Sequence, residues 1–466
     1  MTDLPDSSVA LPRLRFDRGT VVAEEMPSAV VEGLSEIGFT QDRRVGHLRA
    51  PAYRYREAML LLRREQVEVR DEARAYRDLE LDLRLIRDPF PHQREAVEAW
   101  WAGGRAGTVV LPTGSGKTYV AQLVMERVRR STLVVTPTLD LMRQWYGVLG
   151  TSFDLPVGLL GGGYHEPEEV TVTTYDSAYL HMERLGARFG LVVFDECHHL
   201  PGRAYSQAAE MCVAPFRLGL TATPEREDGR EILLPRLLGP ELYRRGIHEL
   251  AGEYLADYET RRLEVDLSEE EREAYLTART RYREFVQRHG LALGAPGGWA
   301  RFLRLTSASR EGREAFLAYR EQKRIAQASE AKLRLLEQLL VQHRRDRALI
   351  FTSDNATVYD ISRRFLVPAI THQTKIKERH RLLEAFNSGD LPFLVTSRVL
   401  NEGVDVPAAN VGIVLSGSGS VREHVQRLGR ILRRGKEKSA ILYEVVARDT
   451  GEEHVSHRRR RHRAYQ

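Results

Sequence analysis

Short apolar runs separated by amphipathic stretches dominate the chain from about residue 73 onward. Runs at 109–111, 132–135, 170–173, 191–194 and 216–220 each predict a buried strand, and helical patterns fill the intervals. Strands alternating with helices imply parallel βαβ units. The pattern changes between 246 and 328, where 269–288 is charged and helical, 290–298 is a glycine-rich break, and a second helix-rich stretch follows. Alternation returns over 329–450, with strands expected at 348–352, 393–396, 411–415 and 439–446. Ahead of residue 73 lie β-like runs (Leu14-Arg15-Phe16, Thr20-Val21-Val22), a helix over 27–37, a turn-rich stretch, and a helix over about 53–65. The expected organisation is a small α+β domain (1–72), an α/β domain (73–245), a helical insertion (246–328), a second α/β domain (329–450) and a basic tail (451–466) whose residues 458–463 are expected to be mobile.

Composition narrows the class. A chain of 466 residues is too long for one core. Its 42% hydrophobic and 29% charged residues suit a soluble globular protein, and no apolar stretch approaches a membrane span. The N-terminus lacks the basic-then-apolar pattern of a signal peptide. Two cysteines, Cys197 and Cys212, are too few for a four-cysteine cluster and fit a reducing compartment, so a cytoplasmic location is expected. A net charge of +5 permits a polyanionic partner without demanding one.

Of 70 basic residues only 7 are lysines, and Lys117 is the only lysine in the first 322 positions. It stands in Thr113-Gly114-Ser115-Gly116-Lys117-Thr118, directly after an apolar run. Strand, glycine turn and helix start form the layout of a phosphate-binding loop: glycines let backbone N–H groups face phosphates, and the positive end of the helix points at them. A compact ammonium reaches between β- and γ-phosphates where a planar guanidinium fits poorly, and the Thr118 hydroxyl suits Mg²⁺. The loop departs from G-x4-G-K-[ST] at its first place, Leu111. The run at 191–194 ends in Asp195-Glu196-Cys197-His198. Acids at the carboxyl end of a parallel strand can hold Mg²⁺ (Asp195) and polarise an attacking water (Glu196). In the second α/β domain Gln426-Arg427-Leu428-Gly429-Arg430 leads to Arg433; Arg430 and Arg433 are three apart and share a helical face, either a solvated basic face or a pair of arginine fingers. Gly403 and Asp405 mark a loop after a strand end that could sense nucleotide.

These motifs carry a resemblance. Pro91-His92-Gln93, the loop at 114–118, Asp195-Glu196-Cys197-His198, Thr221-Ala222-Thr223, the segment 395–407 and the segment 426–433 resemble, in order and spacing, the motif set of superfamily 2 helicases, whose loop variant also has Leu111's departure. Arg226-Glu227-Asp228, directly after Thr-Ala-Thr-Pro-Glu, is similar to the Arg-Glu-Asp element of the XPB family of DNA repair helicases. The helical insertion could hold that family's thumb-like element, and residues 1–72 loosely resemble its damage-recognition domain. The resemblance implies two tandem RecA-like parallel-sheet domains using ATP and Mg²⁺, moving 3′ to 5′ on single-stranded or forked DNA. It assigns Gln93 to adenine, Thr113–Thr118 to phosphates, and Thr118 with Asp195 to Mg²⁺. Glu196 serves the attacking water, and Gln426, Arg430 and Arg433 complete the site. Arg226, Glu227 and Asp228 act in strand separation. Thr136, Thr138, Thr173, Thr174, Thr352 and Ser353, placed after strands, meet the DNA backbone.

Other classes share these motifs. An ATP-gated protein could remodel DNA and position a nuclease or other repair partner without unwinding. An RNA helicase and the motor of a restriction complex are further readings. The Asp-Glu-Cys-His and Thr-Ala-Thr variants argue against the DEAD-box RNA type, and no Pro-Asp…Glu-x-Lys nuclease pattern is evident.

Overall fold

Local alternation of buried and exposed positions builds the first sheet. A computed structural model describes residues 11–84, 87–226, 228–252, 254, 257–295, 297–397, 409–417 and 439–460. Strands β1 (Arg13–Asp17), β2 (Thr20–Glu24), β3 (Thr40–Asp42), β4 (His47–Pro51) and β5 (Arg70–Glu72) pair in the order β3-β4-β2-β1-β5. Helices Ser28–Glu36 and Tyr55–Arg64 contribute Val30, Leu34, Ala58 and Leu62 to a core with Leu14, Val21 and Phe39. The stretch read as turn-rich contains β3, whose three residues are all polar, and the short β4, so alternation there is too brief to register. Val213, from far along the chain, completes this core. Arg56 donates to the carbonyls of Gly104 (2.6 Å) and Pro215 (3.2 Å), fastening the small domain to its neighbour.

The second sheet holds β6 (Ala106–Val110), β7 (Thr132–Thr136), β8 (Val157–Gly161), β9 (Tyr164–Glu166), β10 (Val170–Thr174), β11 (Leu191–Asp195), β12 (Phe216–Thr221) and β13 (Glu241–Arg244), in the order β13-β6-β12-β11-β7-β10-β8-β9. All neighbours are parallel except the β8–β9 pair. The five expected strands are the central ones, where burial on both faces makes the apolar run continuous. The three unforeseen strands sit towards the edges and are short, glycine-bearing or charged.

The third sheet is parallel throughout, ordered β14-β19-β18-β15-β17-β16, from β14 (Asp257–Val265), β15 (Ala348–Phe351), β16 (Ala369–Ile370), β17 (Phe393–Thr396), β18 (Val411–Val414) and β19 (Ser439–Ala447). β14 lies inside the 246–328 stretch read as helical, yet pairs with β19 along its whole length. As an edge strand carrying Glu259, Arg261, Arg262 and Glu264 it has no apolar run to betray it. The helices that follow, Glu269–Arg288, Gly298–Ala308 and Arg310–Gln327, have their own core of Phe285, Leu291, Phe302 and Ala315. Part of the expected basic tail is a helix, Gly451–Arg460. The chain divides into two units, Met1–Gly246 and Ile247–Gln466, so the first two sheets share a unit and the third stands in the other.

Candidate nucleotide site

β6 runs into Leu111-Pro112-Thr113-Gly114-Ser115-Gly116, and the helix Lys117–Val128 begins directly after it. Gly114 and Gly116 have φ of +88° and +86°, the left-handed conformation that a Cβ disfavours. A Cβ on Gly116 would also lie 2.3 Å from Gln93 Nε2, so it would have to displace the glutamine end that bonds this loop. Ser115 stabilises the turn by donating its hydroxyl to the Pro112 carbonyl at 2.8 Å. Lys117 Nζ points back along the loop to the carbonyls of Leu111 (3.2 Å) and Pro112 (3.4 Å). The Thr113 hydroxyl is buried with no hydrogen-bond partner among the described residues, and Thr118 stands half-buried in the helix's first turn. A cradle of left-handed glycines, a lysine bonded to loop carbonyls and a hydroxyl without a partner among the described residues suit a polyphosphate.

Gln93 is placed otherwise than base recognition alone requires. Its Oε1 accepts the Phe90 N–H at 3.0 Å, and its Nε2 donates to the Ser115 carbonyl at 2.9 Å. His92 Nε2 lies 2.9 Å from the same carbonyl. The start of helix Pro91–Ala102 therefore grips the phosphate loop.

β11 ends at Asp195, which is in register with Leu220 of β12, itself level with Val109 of β6. At about 4.8 Å per strand, the acid stands about 10 Å across the sheet from the strand that feeds the loop. Both occupy the carboxyl edge, where open α/β sheets bind ligands. Asp195 is oriented from two sides: Oδ2 accepts Trp145 Nε1–H at 2.8 Å and Oδ1 accepts the Glu196 N–H at 3.0 Å. Tyr175 donates its hydroxyl to the Asp195 carbonyl at 3.0 Å. Glu196 adopts φ +48°, turning sharply out of the strand. Burial, then the carboxylates of Glu196 and Asp195, push the neighbouring Cys197 thiol up, and the Lys117 ammonium partly opposes this. Lysine and acids thus share one electrostatic environment. Among the described residues no three His, Cys, Asp or Glu side chains gather as a metal cage. Mg²⁺ held by one carboxylate, a hydroxyl and phosphate oxygens needs none, and Thr118 with Asp195 fits that donor set.

Buried His198 joins the acids to the next motif. Its Nδ1 lies 3.5 Å from Glu196 Oε2 and 3.1 Å from Thr221 Oγ1, which also accepts the Thr223 N–H at 3.2 Å. Arg226 closes the circuit, donating Nη1–H to the His198 carbonyl at 2.6 Å while holding Asp228 bidentately at 2.7 and 2.6 Å. That guanidinium holds the Asp228 carboxyl down to about 2. The expected strand-separation residues Arg226 and Asp228 are thus paired with each other and anchored to the acid loop.

The hydroxyls of the residues expected to meet DNA make hydrogen bonds within the protein. Thr136 and Thr173 are fully buried and donate to the Thr173 (3.2 Å) and Leu160 (2.7 Å) carbonyls. Thr138 and Thr174 cap the helices Leu139–Ser152 and Tyr175–Leu185, accepting Leu141 and Ser177 N–H at 3.2 Å. In the second unit Thr352 donates to the Asp354 carbonyl at 2.9 Å and Ser353 to Gln327 Oε1 at 2.6 Å. The sequence reads Trp145 and Tyr175 as core aromatics and gives His198, within its motif, no role of its own; only tertiary contact shows their polar ends at work. Glu227, Gly403, Asp405, Gln426, Arg430 and Arg433 lie outside the described residues.

A phosphate cradle facing an acid pair on one parallel sheet, with a second parallel-sheet unit behind it in the chain, defines an ATP-dependent motor of the helicase class. Family models agree: residues 87–226 match the type III restriction enzyme res subunit and 331–435 the helicase conserved C-terminal domain. Residues 14–73 match the Xeroderma pigmentosum group B helicase damage recognition domain. The chain is 41% identical over 414 residues to the DNA 3'-5' translocase XPB2 of Sulfurisphaera tokodaii, covering 88% of this chain and 93% of that one. It is 34% identical over 385 residues to the DNA 3'-5' helicase XPB of Kineococcus radiotolerans, covering 79% of this chain and 62% of that longer one. The Pyrococcus furiosus Hef helicase domain shares the fold, with a TM-score of 0.52 at 19% identity over 78% of this chain and 97% of that domain. The chain belongs to the XPB family of ATP-dependent DNA helicases and translocases. Among the described residues no helix is long and apolar enough to cross a membrane.

Proposed function

We propose that this protein hydrolyses ATP to move 3′ to 5′ along one DNA strand and part the duplex, in the service of DNA repair. The observation that carries this reading is the placement of the Lys117 loop and the Asp195–Glu196 pair at one sheet edge, wired through His198 to Thr221 and Arg226. Loop N–H groups and Lys117 bind the β- and γ-phosphates. Thr118 and Asp195 would hold Mg²⁺, which would supply positive charge against the charge developing on the phosphates. Glu196 orients the attacking water and accepts its proton. Gln426, Arg430 and Arg433 approach the γ-phosphate when nucleotide is bound, and Gly403 and Asp405 respond to it. Gln93 reports on the base through the loop it grips. DNA phosphates meet the backbone N–H groups of the turns that Thr136, Thr138, Thr173, Thr174, Thr352 and Ser353 shape, contacts that position a strand without reading sequence. Arg226, Glu227 and Asp228 couple the acid loop to the point where strands part. Lys117→Ala and Glu196→Gln are each expected to lower DNA-stimulated ATP turnover at least about 100-fold. Turnover near wild type in either variant defeats the site assignment.

The name of the Sulfurisphaera relative favours a second reading, translocation along duplex without strand separation. Strand displacement on a 3′-tailed duplex, set beside triplex displacement on an untailed one, separates the two. Displacement only from the triplex selects the translocase.

A further inference from the structure

Two aromatic side chains reach Asp195 from the helices that begin at the turns assigned to DNA. Trp145 lies in the helix Leu139–Ser152, on the buried face it shares with Met142, Leu149 and Ser152. It stands seven residues beyond the cap Thr138, nearly two turns and about 10 Å along the helix. Its Nε1–H donates to Asp195 Oδ2 at 2.8 Å. Tyr175 opens the helix Tyr175–Leu185, directly after the cap Thr174. Its hydroxyl donates to the Asp195 carbonyl at 3.0 Å. Both rings are buried. Strand order makes the convergence possible: β7 lies between β10 and β11, with Thr136 level with Thr174 and Val135 level with Phe194. The two turns and the acid therefore sit side by side on the carboxyl edge of one sheet, all within the first unit.

A buried carboxylate needs donors, and that need by itself accounts for an indole N–H. It does not account for two donors, on the carboxylate and on the carbonyl of one residue, each carried by a helix that starts at one of these turns. An N–H bond to a carboxylate is strong and directional, so the carboxylate follows the indole. Close-packed side chains pass a displacement on rather than absorb it. A phosphate seated on the N–H groups at a helix start acts on that whole helix, and each of these helices ends its reach on Asp195. We propose that Trp145 and Tyr175 are positioning residues that couple DNA binding to ATP hydrolysis: a strand held at the turns 136–138 and 173–174 sets, through these two rings, the orientation in which Asp195 would hold Mg²⁺. This rests on the readings given above of those turns as DNA contacts and of Asp195 as a metal ligand.

The test compares Trp145→Phe and Tyr175→Phe with wild type in ATP turnover with and without single-stranded DNA, across a Mg²⁺ series. DNA affinity and thermal midpoints are measured alongside. In both variants the stimulation by DNA is expected to fall about tenfold, and the Mg²⁺ needed for half-maximal turnover to rise about threefold or more. DNA affinity, and the KM for ATP at saturating Mg²⁺, are expected to stay within about twofold of wild type. Wild-type stimulation with a lowered midpoint overturns the proposal, and so does a loss that follows DNA affinity. A second readout needs no turnover. Labelling the four tryptophans with 5-fluorotryptophan gives each a fluorine resonance, and that of Trp145 is the one missing in Trp145→Phe. Single-stranded DNA added without nucleotide is expected to move it; a resonance that stays in place while DNA is bound overturns the proposal. Should Trp145→Phe fail to fold, Tyr175→Phe, which keeps the ring and loses one oxygen, carries the kinetic test, and wild-type stimulation there overturns the proposal. Glu196→Gln is assayed beside them. Wild-type turnover in Glu196→Gln removes the site reading and the proposal with it. Loss in Glu196→Gln with full stimulation in Trp145→Phe and Tyr175→Phe removes the coupling alone.

Discussion

Single side chains in the nucleotide loop do more than one task. Gly116 suits its left-handed φ, and a Cβ there would push aside the Gln93 amide that bonds the loop. Lys117 and Asp195 were legible from sequence because their chemistry admits few substitutes and each follows an apolar strand. The partners that hold them were not: Trp145 reaches Asp195 across 50 positions. Arg226 was legible as a motif, but its grip on the His198 carbonyl is a fact of folding. The pair it makes with Asp228 has a pH signature. The Arg226 guanidinium lowers the Asp228 carboxyl from 3.8 to about 2. A depressed folded-state value means the contribution is present above the unfolded value and is lost as pH falls through the folded one. Acid unfolding of wild type and Asp228→Asn should therefore differ by a constant amount above about pH 4 and converge toward pH 2. The difference is expected to be small, since Asp228 is exposed and solvent screens the pair. A gap that persists at pH 2 counts against the ion pair as its cause.

At the scale of elements, the turns after parallel strands show why a residue type alone is ambiguous. A threonine there can face a ligand or close its own turn, and a helix N-terminus with free N–H groups competes for the hydroxyl. In Thr138 and Thr174 the helix wins. Replacing either by alanine is expected to cost about 1 kcal/mol of stability in chemical denaturation. DNA affinity and its salt dependence should stay at wild-type values, because backbone amides carry the phosphate contacts. A shallower salt slope in Thr138→Ala or Thr174→Ala would return the hydroxyl to the DNA interface. The same scale explains which strands could be read. Central strands such as Thr132–Thr136 are buried throughout and give continuous apolar runs. Edge strands such as Asp257–Val265 carry charge and read as anything but strand.

At the scale of the molecule, the N-terminal domain is a fitted part of its unit rather than a loose appendage. Val213 lies in its core, and a Cβ on Gly19 would collide with the side chain of Met211. Arg56 joins two loop carbonyls of the neighbouring sheet. Removing residues 1–72 uncovers Val213, worth about 1.5–3 kcal/mol of burial, and breaks the Arg56 bonds. The truncated chain is expected to melt at least several degrees lower and to bind hydrophobic dye before the main transition. An unchanged midpoint would mean the domain contributes recognition without support.

Sequence by itself determined the order of the motifs, the alternation of the central strands and helices, and the residues whose chemistry has no substitute. These are local properties, set by periodicity, by glycine's φ and by the reach of an ammonium. Only the tertiary structure decided which groups meet. Strand order brings residues 109 and 195 to the same level two strands apart, and chain separation says nothing of that. It decided that Gln93 grips its own loop, that the threonines bond within their turns, and that a buried lysine at 332 joins the ends of β18 and β19. The reason is general: a hydrogen bond is satisfied by whichever partner folding brings within about 3 Å, and the chain does not carry that distance in its order of residues.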